Sequence, residues 1–333
     1  MRNIIGCSDM AQHFLLSSKA RTIGLAQVLR MSDDEAWEAF KAVRFSQNNG
    51  EAFCPKCGGV DLYWFGTRKI WKCKGCGKEF SVTSGTLFSS RHLSIRDYLA
   101  AIAIFVNGAK GVSALQLSRD LNCQYKTAFV LCHKLREAMA SEDRNATVSG
   151  HVEIDGMYAG GYVKPANHRE NRRDRRLAVN QNGKRHVVIA ARERNGKTIT
   201  FVTKTEDASV KTLNERIEAG STVYADEASH WDAMHARYAT KRINHSQAYS
   251  DGEGCTNGVE SFFSRLRRAE IGTHHHIAGP YLASYAGEMD WREDRRRVSN
   301  GEQYRTLINA AAHLPISRQW KGYWQRRAAR SVT

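Results

Sequence analysis

Three carboxylates in separate stretches of the chain could hold divalent metal ions if the fold brings them together. Asp155 lies in the segment H-V-E-I-D-G-M-Y, and Asp226 ends the segment S-T-V-Y-A-D. Glu260 lies near the start of N-G-V-E-S-F-F-S-R-L-R, which has the pattern of an amphipathic helix. Carboxylate oxygens are preferred ligands of hard divalent cations. The three acids are therefore candidates for a shared metal site.

The elements that would position these acids can be predicted from the local pattern. Around Asp155 the chain alternates, with Val152 and Ile154 on one side and Glu153 and Asp155 on the other. Such alternation indicates a half-buried strand. Gly156 follows directly, which leaves the backbone beside Asp155 open to a ligand. Asp226 is predicted to end a second strand.

Further strands and helices around these acids predict a mixed α/β domain. In chain order they follow the pattern strand, strand, strand, helix, strand, helix, strand, helix. After the strand of Asp155, the predicted elements are strands 186–192 and 198–203, helix 207–219, strand 221–226, helix 229–238, strand 241–245 and the helix of Glu260. An Asn-Gly turn between the second and third strands predicts an antiparallel hairpin at one edge of the sheet.

Four cysteines have the spacing of a zinc site. The pattern C-x2-C-x15-C-x2-C is formed by Cys54, Cys57, Cys73 and Cys76. Two thiolate pairs in tight turns can complete a tetrahedron around Zn²⁺, so we expect a zinc ribbon with one structural zinc ion. The other cysteines are scattered, which indicates a reducing compartment and not a disulfide framework.

Composition indicates a polyanionic partner. The 333 residues carry a net charge of +16 with 41% hydrophobic residues, which argues against global disorder and favours nucleic acid as the partner. No apolar run approaches the ~18 residues that a membrane span needs. The first residues lack a signal-peptide pattern. We therefore expect a cytoplasmic protein without a membrane partner.

Two regions are predicted to contact DNA. A short helix from Ser113, a turn at Asn122 and a second helix resemble a helix-turn-helix. The second helix would carry Lys126 near a groove, with Lys134 and Arg136 further along. The other region is a loop from 164 to 185 with many basic residues and no apolar periodicity, and its candidate contacts are Lys164, Arg172, Arg173, Arg175 and Arg176.

The motifs around the three acids resemble one known family. E-I-D-G-M-Y-A-G-G, Y-A-D-E-A and T-N-G-V-E-S-F-F-S-R-L-R-R-A-E-I-G-T-H-H-H-I are similar to segments of bacterial insertion-sequence DDE transposases with an N-terminal zinc ribbon, the ISXO-like group. The resemblance also includes C-P-K-C-G, F-S-V-T-S-G-T-L-F and G-E-Q-Y-R-T-L. It implies a ribonuclease-H-like catalytic domain in which Asp155, Asp226 and Glu260 are the catalytic acids and hold two Mg²⁺ or Mn²⁺ ions.

The resemblance also implies an activity and partners. The activity is DNA cleavage and strand transfer, and the partners are the terminal inverted repeats of the element and the target DNA. A homo-oligomer on DNA and association with the nucleoid are expected as well. Two alternative functions stay open: a non-catalytic DNA-binding regulator, and a ribonuclease-H-like nuclease without strand transfer. Terminal repeats, target preference, oligomeric state and the activity of this copy do not follow from the sequence.

The chain departs from the family pattern at two positions, the third acid and a basic residue that follows it on the same helix. Some relatives use Asn at this position, and this chain offers both Asn257 and Glu260, three residues apart on one helical face. We favour Glu260 because a carboxylate adds charge to a hard-cation site. Where the family often has Lys, this chain has Arg267, which is predicted to hold a DNA phosphate. Glu153 and Glu227 are weaker alternatives as metal ligands.

The sequence predicts five segments in all. These are an N-terminal helical segment (1–50), the zinc ribbon (51–90), the helix-turn-helix region (91–142), the ribonuclease-H-like catalytic domain (150–280) and a C-terminal helical extension (281–333).

Overall fold

The computed structural model describes residues 14–160, 168–172, 178–180, 183–194, 196–243 and 256–330. The chain forms two compact units, each assembled from separated segments. The ribbon unit takes in the described residues up to Asn107 together with Arg295–Ile316. The sheet unit takes in Gly108–Asp294 and the described residues from Ser317 onward. The predicted segments 91–142 and 281–333 each contribute to both units, and their functional boundaries stay a prediction.

Helices and strands in the described part of the chain have the following bounds. The α-helices are α1 (Leu25–Leu29), α2 (Asp33–Arg44), α3 (Ile95–Asn107), α4 (Ala114–Asp120), α5 (Tyr125–Glu142), α6 (Val210–Arg216), α7 (Asn257–Ala269), α8 (Leu282–Asp294), α9 (Asn300–His313) and α10 (Tyr323–Arg330). The strands are β1 (Leu62–Phe65), β2 (Ile70–Cys73), β3 (Glu79–Ser81), β4 (His151–Ala159), β5 (His186–Glu193), β6 (Thr198–Thr203), β7 (Thr222–Asp226) and β8 (Ala239–Ile243).

The ribbon unit is built on a small antiparallel sheet in the order β1-β2-β3. Its centre is Trp71 on β2, which is 7% exposed and stacks on Trp37 of α2 and Phe80 of β3. Helix α2 begins after Ser32, because Ser32 and Glu35 form a capping box. Helix α9 packs on α2 and α3, although it follows the sheet unit in the chain.

The sheet unit contains a five-stranded sheet in the order β6-β5-β4-β7-β8. Strands β5 and β6 form the antiparallel hairpin edge, and β7 is parallel to both β4 and β8. The predicted order of strands and helices is confirmed, except that the segment predicted as helix 229–238 forms a 3-10 helix over Ser229–Ala236. The mixed sheet agrees with a ribonuclease-H-like fold. Parallel neighbours need a crossover, and the hairpin with α6 supplies it between β4 and β7.

Both faces of the central strand β4 are covered. Val152 and Ile154 are buried in the core on one face of the sheet. Met157 lies in the core on the other face, where α7 contributes Val259 and Phe262. The predicted alternation of β4 is therefore confirmed, and it turns Asp155 toward the face that α7 covers. The strand is not half-buried as predicted, because helix α7 also covers its second face.

Helices α4 and α5 form where the sequence predicts two helices and a turn. Ser113 caps α4 by accepting a hydrogen bond from the backbone of Gln116, and Asn122 makes the turn in a left-handed conformation with φ of 46°. A role of this pair as a DNA-reading helix-turn-helix stays a prediction. Within the described residues, no helix is long and apolar enough to span a membrane.

Arg136 requires a correction. This residue of α5 was predicted to contact DNA, but its side chain is only 1% exposed. Its Nε donates to Oε2 of Glu288 on α8 at 2.7 Å, and Arg292 binds the same carboxylate. The two arginines outweigh the effect of burial and lower the pKa of Glu288 to about 2. Because the guanidinium is used in a buried ion pair, the prediction for Arg136 is wrong.

Candidate active site

The three predicted acids lie around one cavity of the sheet unit. It has a volume of about 300 Å³. We call it the acidic cavity, and its lining residues are Asp155, Asp226, Thr256, Glu260, Phe263 and Arg267. Two strands and one helix thus bring together acids that are far apart in the sequence.

Strand pairing accounts for the approach of the two aspartates. Strands β4 and β7 are parallel, and their register pairs Glu153 with Tyr224. Asp155 and Asp226 each lie two residues further on, so they are neighbours across the two strands, although Asp226 ends β7 and β4 continues to Ala159. Both side chains lie on the face that α7 covers, because side chains alternate along a strand.

Arg242 of β8 holds the backbone that follows Asp226. Its Nε donates to the carbonyl oxygen of Asp226 at 2.6 Å, and Nη2 donates to the carbonyl oxygen of Ala228. Nη1 donates to Oδ1 of Asp232 at 3.0 Å, so one guanidinium fixes the whole turn. Sequence reasoning missed this role, since the short strand around Arg242 carries no motif.

The electrostatics of the cavity favour a bound cation. The pKa of Asp155 is raised to about 7, mainly by burial and further by the charges of Asp226, Glu206 and Glu260, while the hydrogen bond from the backbone amide of Gly156 opposes the shift. A carboxyl group in such surroundings gains most from a divalent cation, which offsets the repulsion among the acids. The residues present therefore fit a metal site.

Glu206 is a fourth acid near the cavity, and no sequence pattern predicts its position there. It lies between β6 and α6, and its Oε2 accepts a hydrogen bond from the hydroxyl group of Tyr158 at 2.8 Å. Its charge reaches Asp155, as the raised pKa of that carboxyl group indicates. An isolated glutamate before a short helix has no signal that would have identified it.

Glu260 is better placed for the cavity than Asn257. Thr256 donates a hydrogen bond from Oγ1 to Oε1 of Glu260 at 3.0 Å, and both residues line the cavity. Asn257 is exposed and lies outside the cavity lining that the described residues define. This arrangement supports the choice of the carboxylate over the amide as the third metal ligand.

Glu153 links the strand of Asp155 to the helix of Glu260. Its Oε2 accepts hydrogen bonds from the backbone amides of Gly258 at 2.7 Å and Val259 at 3.0 Å, in the first turn of α7. Its Oε1 lies 3.2 Å from Nε of Arg194. A carboxylate at a helix N-terminus satisfies amides that lack partners inside the helix and interacts favourably with its dipole. Glu153 therefore positions α7.

Glu153→Gln is expected to slow DNA cleavage about 10–100-fold, the usual effect of losing a group that orients metal ligands. The amide has nearly the same shape but lacks the negative charge that the helix N-terminus and Arg194 require. Single-turnover cleavage of duplex DNA measures the effect, and the melting temperature reports on folding. Glu215→Gln, an exposed position on α6, is the matched control. A wild-type cleavage rate in Glu153→Gln would show that α7 does not depend on this contact.

The four cysteines of the ribbon unit form a metal-ligating cluster. The Sγ atoms of Cys54 and Cys76 are 3.6 Å apart, as are those of Cys57 and Cys73. A tetrahedral zinc with Zn–S bonds of ~2.3 Å requires sulfur separations of about 3.8 Å, so the cluster fits this ion.

The acidic cavity differs from this cluster in geometry. Among the residues that the structure describes, only the cysteines bring three or more Cys, His, Asp or Glu ligand atoms within 4.8 Å of one another. The acids around the cavity are therefore more widely spread than the ligands of a single closed ion site.

The remaining residues predicted to bind DNA have different surroundings. Lys126 is exposed, with Nζ 5.5 Å from the ring centroid of Trp324, and Lys134 is half-buried. Arg172 is exposed. The other four predicted contacts lie outside the described residues; they are Lys164, Arg173, Arg175 and Arg176. Their roles stay predictions.

Comparison with known proteins identifies related domains. The model of the ISXO2-like transposase domain matches residues 147–294, and that of the transposase zinc-ribbon domain matches residues 31–79. The chain is similar to an uncharacterized protein in transposable element ISH50 of Halobacterium salinarum, with 23% identity over 272 residues, 78% of this chain and 91% of that protein. No solved structure matches the chain.

Proposed function

The chain belongs to the ISXO2-like insertion-sequence transposases with an N-terminal zinc ribbon, and from this premise we propose that Asp155, Asp226 and Glu260 are its catalytic carboxylates. They hold Mg²⁺ or Mn²⁺ for DNA cleavage and strand transfer. The observation that carries the proposal is their joint position around the acidic cavity.

Each lining residue has a chemical task in this proposal. Bound divalent ions would activate the attacking oxygen and stabilise the charge on the leaving oxygen. The three carboxylates supply the negative charge that holds such ions. Arg267 lines the same cavity and orients the scissile phosphate through its guanidinium. Phe263, which is 2% exposed, forms an apolar wall that lowers the local dielectric and strengthens these charge interactions.

The ribbon unit supplies DNA contacts in this proposal. Its four cysteines hold one structural zinc ion, because their separations suit tetrahedral coordination. Tyr63 is 56% exposed, Trp64 is 47% exposed, and Nζ of Lys74 lies 4.9 Å from the ring centroid of Tyr63. Exposed aromatic and basic side chains on one small sheet suit a phosphate backbone with its sugars and bases. The element ends and the target DNA are the partners, bound by a homo-oligomer.

The proposal is tested with purified full-length protein and a duplex that carries the terminal sequence of the element with its flank. Cleavage at the element end and joining to a plasmid are expected with Mg²⁺ or Mn²⁺. Both reactions are expected to stop when a chelator removes the ions. Cleavage that continues at the same rate in the chelator would overturn the proposal, because it would not require metal held by the carboxylates.

The third ligand is tested by two substitutions on α7. Glu260→Gln is expected to lower the cleavage rate by ~100-fold or more, because a metal ligand contributes several kcal/mol of transition-state stabilisation. Asn257→Ala is expected to have a milder effect. Single-turnover rates in Mg²⁺ give the comparison. If Glu260→Gln cleaves normally and Asn257→Ala is inactive, the third ligand is Asn257.

A further inference from the structure

A second cavity lies along α7, beyond the acidic cavity. It has a volume of about 420 Å³. We call it the basic groove, and its lining residues are Lys110, Ser264, Arg267, Arg268, Ile271 and Gly272. Arg267 lines both cavities, so the groove continues directly from the proposed catalytic site.

The lining of the groove contains three cations and no carboxylate. Lys110, Arg267 and Arg268 are exposed, and none of them forms an ion pair with a carboxylate in the part of the chain that the structure describes. Arg268 donates instead to the neutral hydroxyl group of Ser264 at 2.8 Å. In contrast, Arg265 on the same helix lies 2.6 Å from the carboxylate of Glu293. The groove therefore concentrates positive charge.

The dipole of helix α7 explains only two of the three cations that line the groove. Basic residues in the last turn of a helix are favoured by its C-terminal dipole, which explains Arg267 and Arg268 without any ligand. Lys110 comes from a different element, the turn between α3 and α4. A separate element that adds a third cation to the same groove indicates an anionic ligand.

The turn that carries Lys110 is closely packed. The backbone amide of Gly111 donates to the carbonyl oxygen of Gly108 at 3.0 Å. Gly111 has φ of 83°, and a Cβ atom there would lie 2.9 Å from Oε1 of Glu288. A Cβ atom on Gly108 would lie 2.9 Å from the carbonyl oxygen of Gly111. The glycines allow a tight turn that presents Lys110 at the groove.

We propose that the basic groove binds the phosphodiester backbone of the DNA strand whose reacting phosphate occupies the acidic cavity. This inference rests on the proposed function of that cavity. Guanidinium and ammonium groups bind phosphates through charge-assisted hydrogen bonds. Ile271 is 72% exposed and supplies an apolar contact that suits a deoxyribose ring. Arg267 joins the two sites along the path of the strand.

The test is the salt dependence of DNA binding in metal-free buffer, where cleavage does not interfere. In the double variant Lys110→Ala/Arg268→Ala, the slope of log Kd against log salt is expected to fall by about 1 to 2, one for each lost phosphate contact. The matched control is Lys211→Ala/Arg237→Ala, which removes the same charges from exposed positions next to the core on the other face of the sheet. Its slope is expected to equal that of the wild type.

Two single substitutions give effects of opposite sign. Ile271→Glu is expected to weaken DNA binding, and Ile271→Lys is expected to strengthen it. Because Ile271 is exposed, we expect both variants to fold normally. An unchanged slope in Lys110→Ala/Arg268→Ala, or equal affinities of the two Ile271 variants, would overturn the groove proposal. These binding results do not depend on cleavage. A wild-type protein that binds with the expected slope but never cleaves would overturn the proposed catalytic role alone.

Discussion

Asp155→Asn is expected to abolish DNA cleavage and strand transfer while DNA affinity remains close to that of the wild type. Asparagine keeps the shape of the side chain but removes its charge, so in the proposed function the acidic cavity loses a ligand for its cations. Several kcal/mol of transition-state stabilisation depend on those cations, which corresponds to a loss of ~10³-fold or more. Rates of cleavage and joining in Mg²⁺, together with Kd in metal-free buffer, separate the two effects.

The same substitution has a predictable effect on stability. Burial and the nearby acids raise the pKa of Asp155 to about 7, so the folded protein binds a proton more tightly than the unfolded chain. The stability of the wild type in metal-free buffer should therefore fall as the pH rises from ~4 through ~7. Asp155→Asn cannot ionise and should lose this part of the decrease. Melting temperatures at pH 5 and pH 8 measure the difference.

Asp207→Asn is the control for both measurements, because Asp207 is an exposed aspartate of the same unit. It should retain activity and the pH profile of the wild type. An inactive Asp155→Asn with a lowered melting temperature at both pH values would indicate misfolding and not loss of a ligand. Normal cleavage by Asp155→Asn would exclude the acidic cavity as the catalytic site.

Cys73→Ser is expected to remove the zinc ion and unfold the ribbon sheet. Structural zinc contributes ~10–16 kcal/mol in zinc-finger peptides, which is comparable to the ~5–15 kcal/mol that typically stabilises a whole domain. Cys73 ends β2 two residues after Trp71, the centre of the aromatic core. Metal content should fall from about one zinc per chain to nearly none, and the tryptophan fluorescence of the ribbon should shift toward that of exposed indole.

Cys123→Ser is the matched control, because this half-buried cysteine lies outside the cluster. Its zinc content and fluorescence should equal those of the wild type. The full chain is needed, since α9 packs on α2 and α3 and an N-terminal fragment lacks it. Full zinc occupancy in Cys73→Ser would contradict tetrahedral coordination by all four thiolates.

The sequence predicts those parts of the site that depend on local patterns. The alternation in β4 correctly predicted that Asp155 lies on the opposite side of the strand from Val152 and Ile154. Cysteine spacing correctly predicted the cluster of the ribbon unit. Both signals are local: the alternation lies within β4, and each pair of cysteines has only two residues between its members. Strand geometry and the tight turn of a metal-binding cysteine pair also act over these short stretches of chain.

Long-range contacts account for what the sequence did not show. Glu153 binds the amide of Gly258, 105 residues away, and nothing near Glu153 indicates that a helix will begin there. Arg136 pairs with Glu288, 152 residues away. An arginine on a helix usually faces solvent, so only the packing of α5 on α8 reveals this buried pair. Contacts between residues so far apart in the chain depend on how the elements are arranged in the fold. The local periodicity of the sequence does not reveal that arrangement.

The division of the ribbon unit between two ends of the chain has a consequence for biosynthesis. Asn300 at the start of α9 accepts a hydrogen bond from the backbone of Thr22, and α9 packs on α2 and α3. A ribosome therefore has to translate all of β4 to α8 before the ribbon unit can be completed. A messenger that is truncated within the catalytic region yields a product whose zinc ribbon lacks its final helix. Such a product would lack both the contact of Asn300 with Thr22 and the packing of α9 on α2 and α3, so termination within the sheet unit leaves neither unit complete.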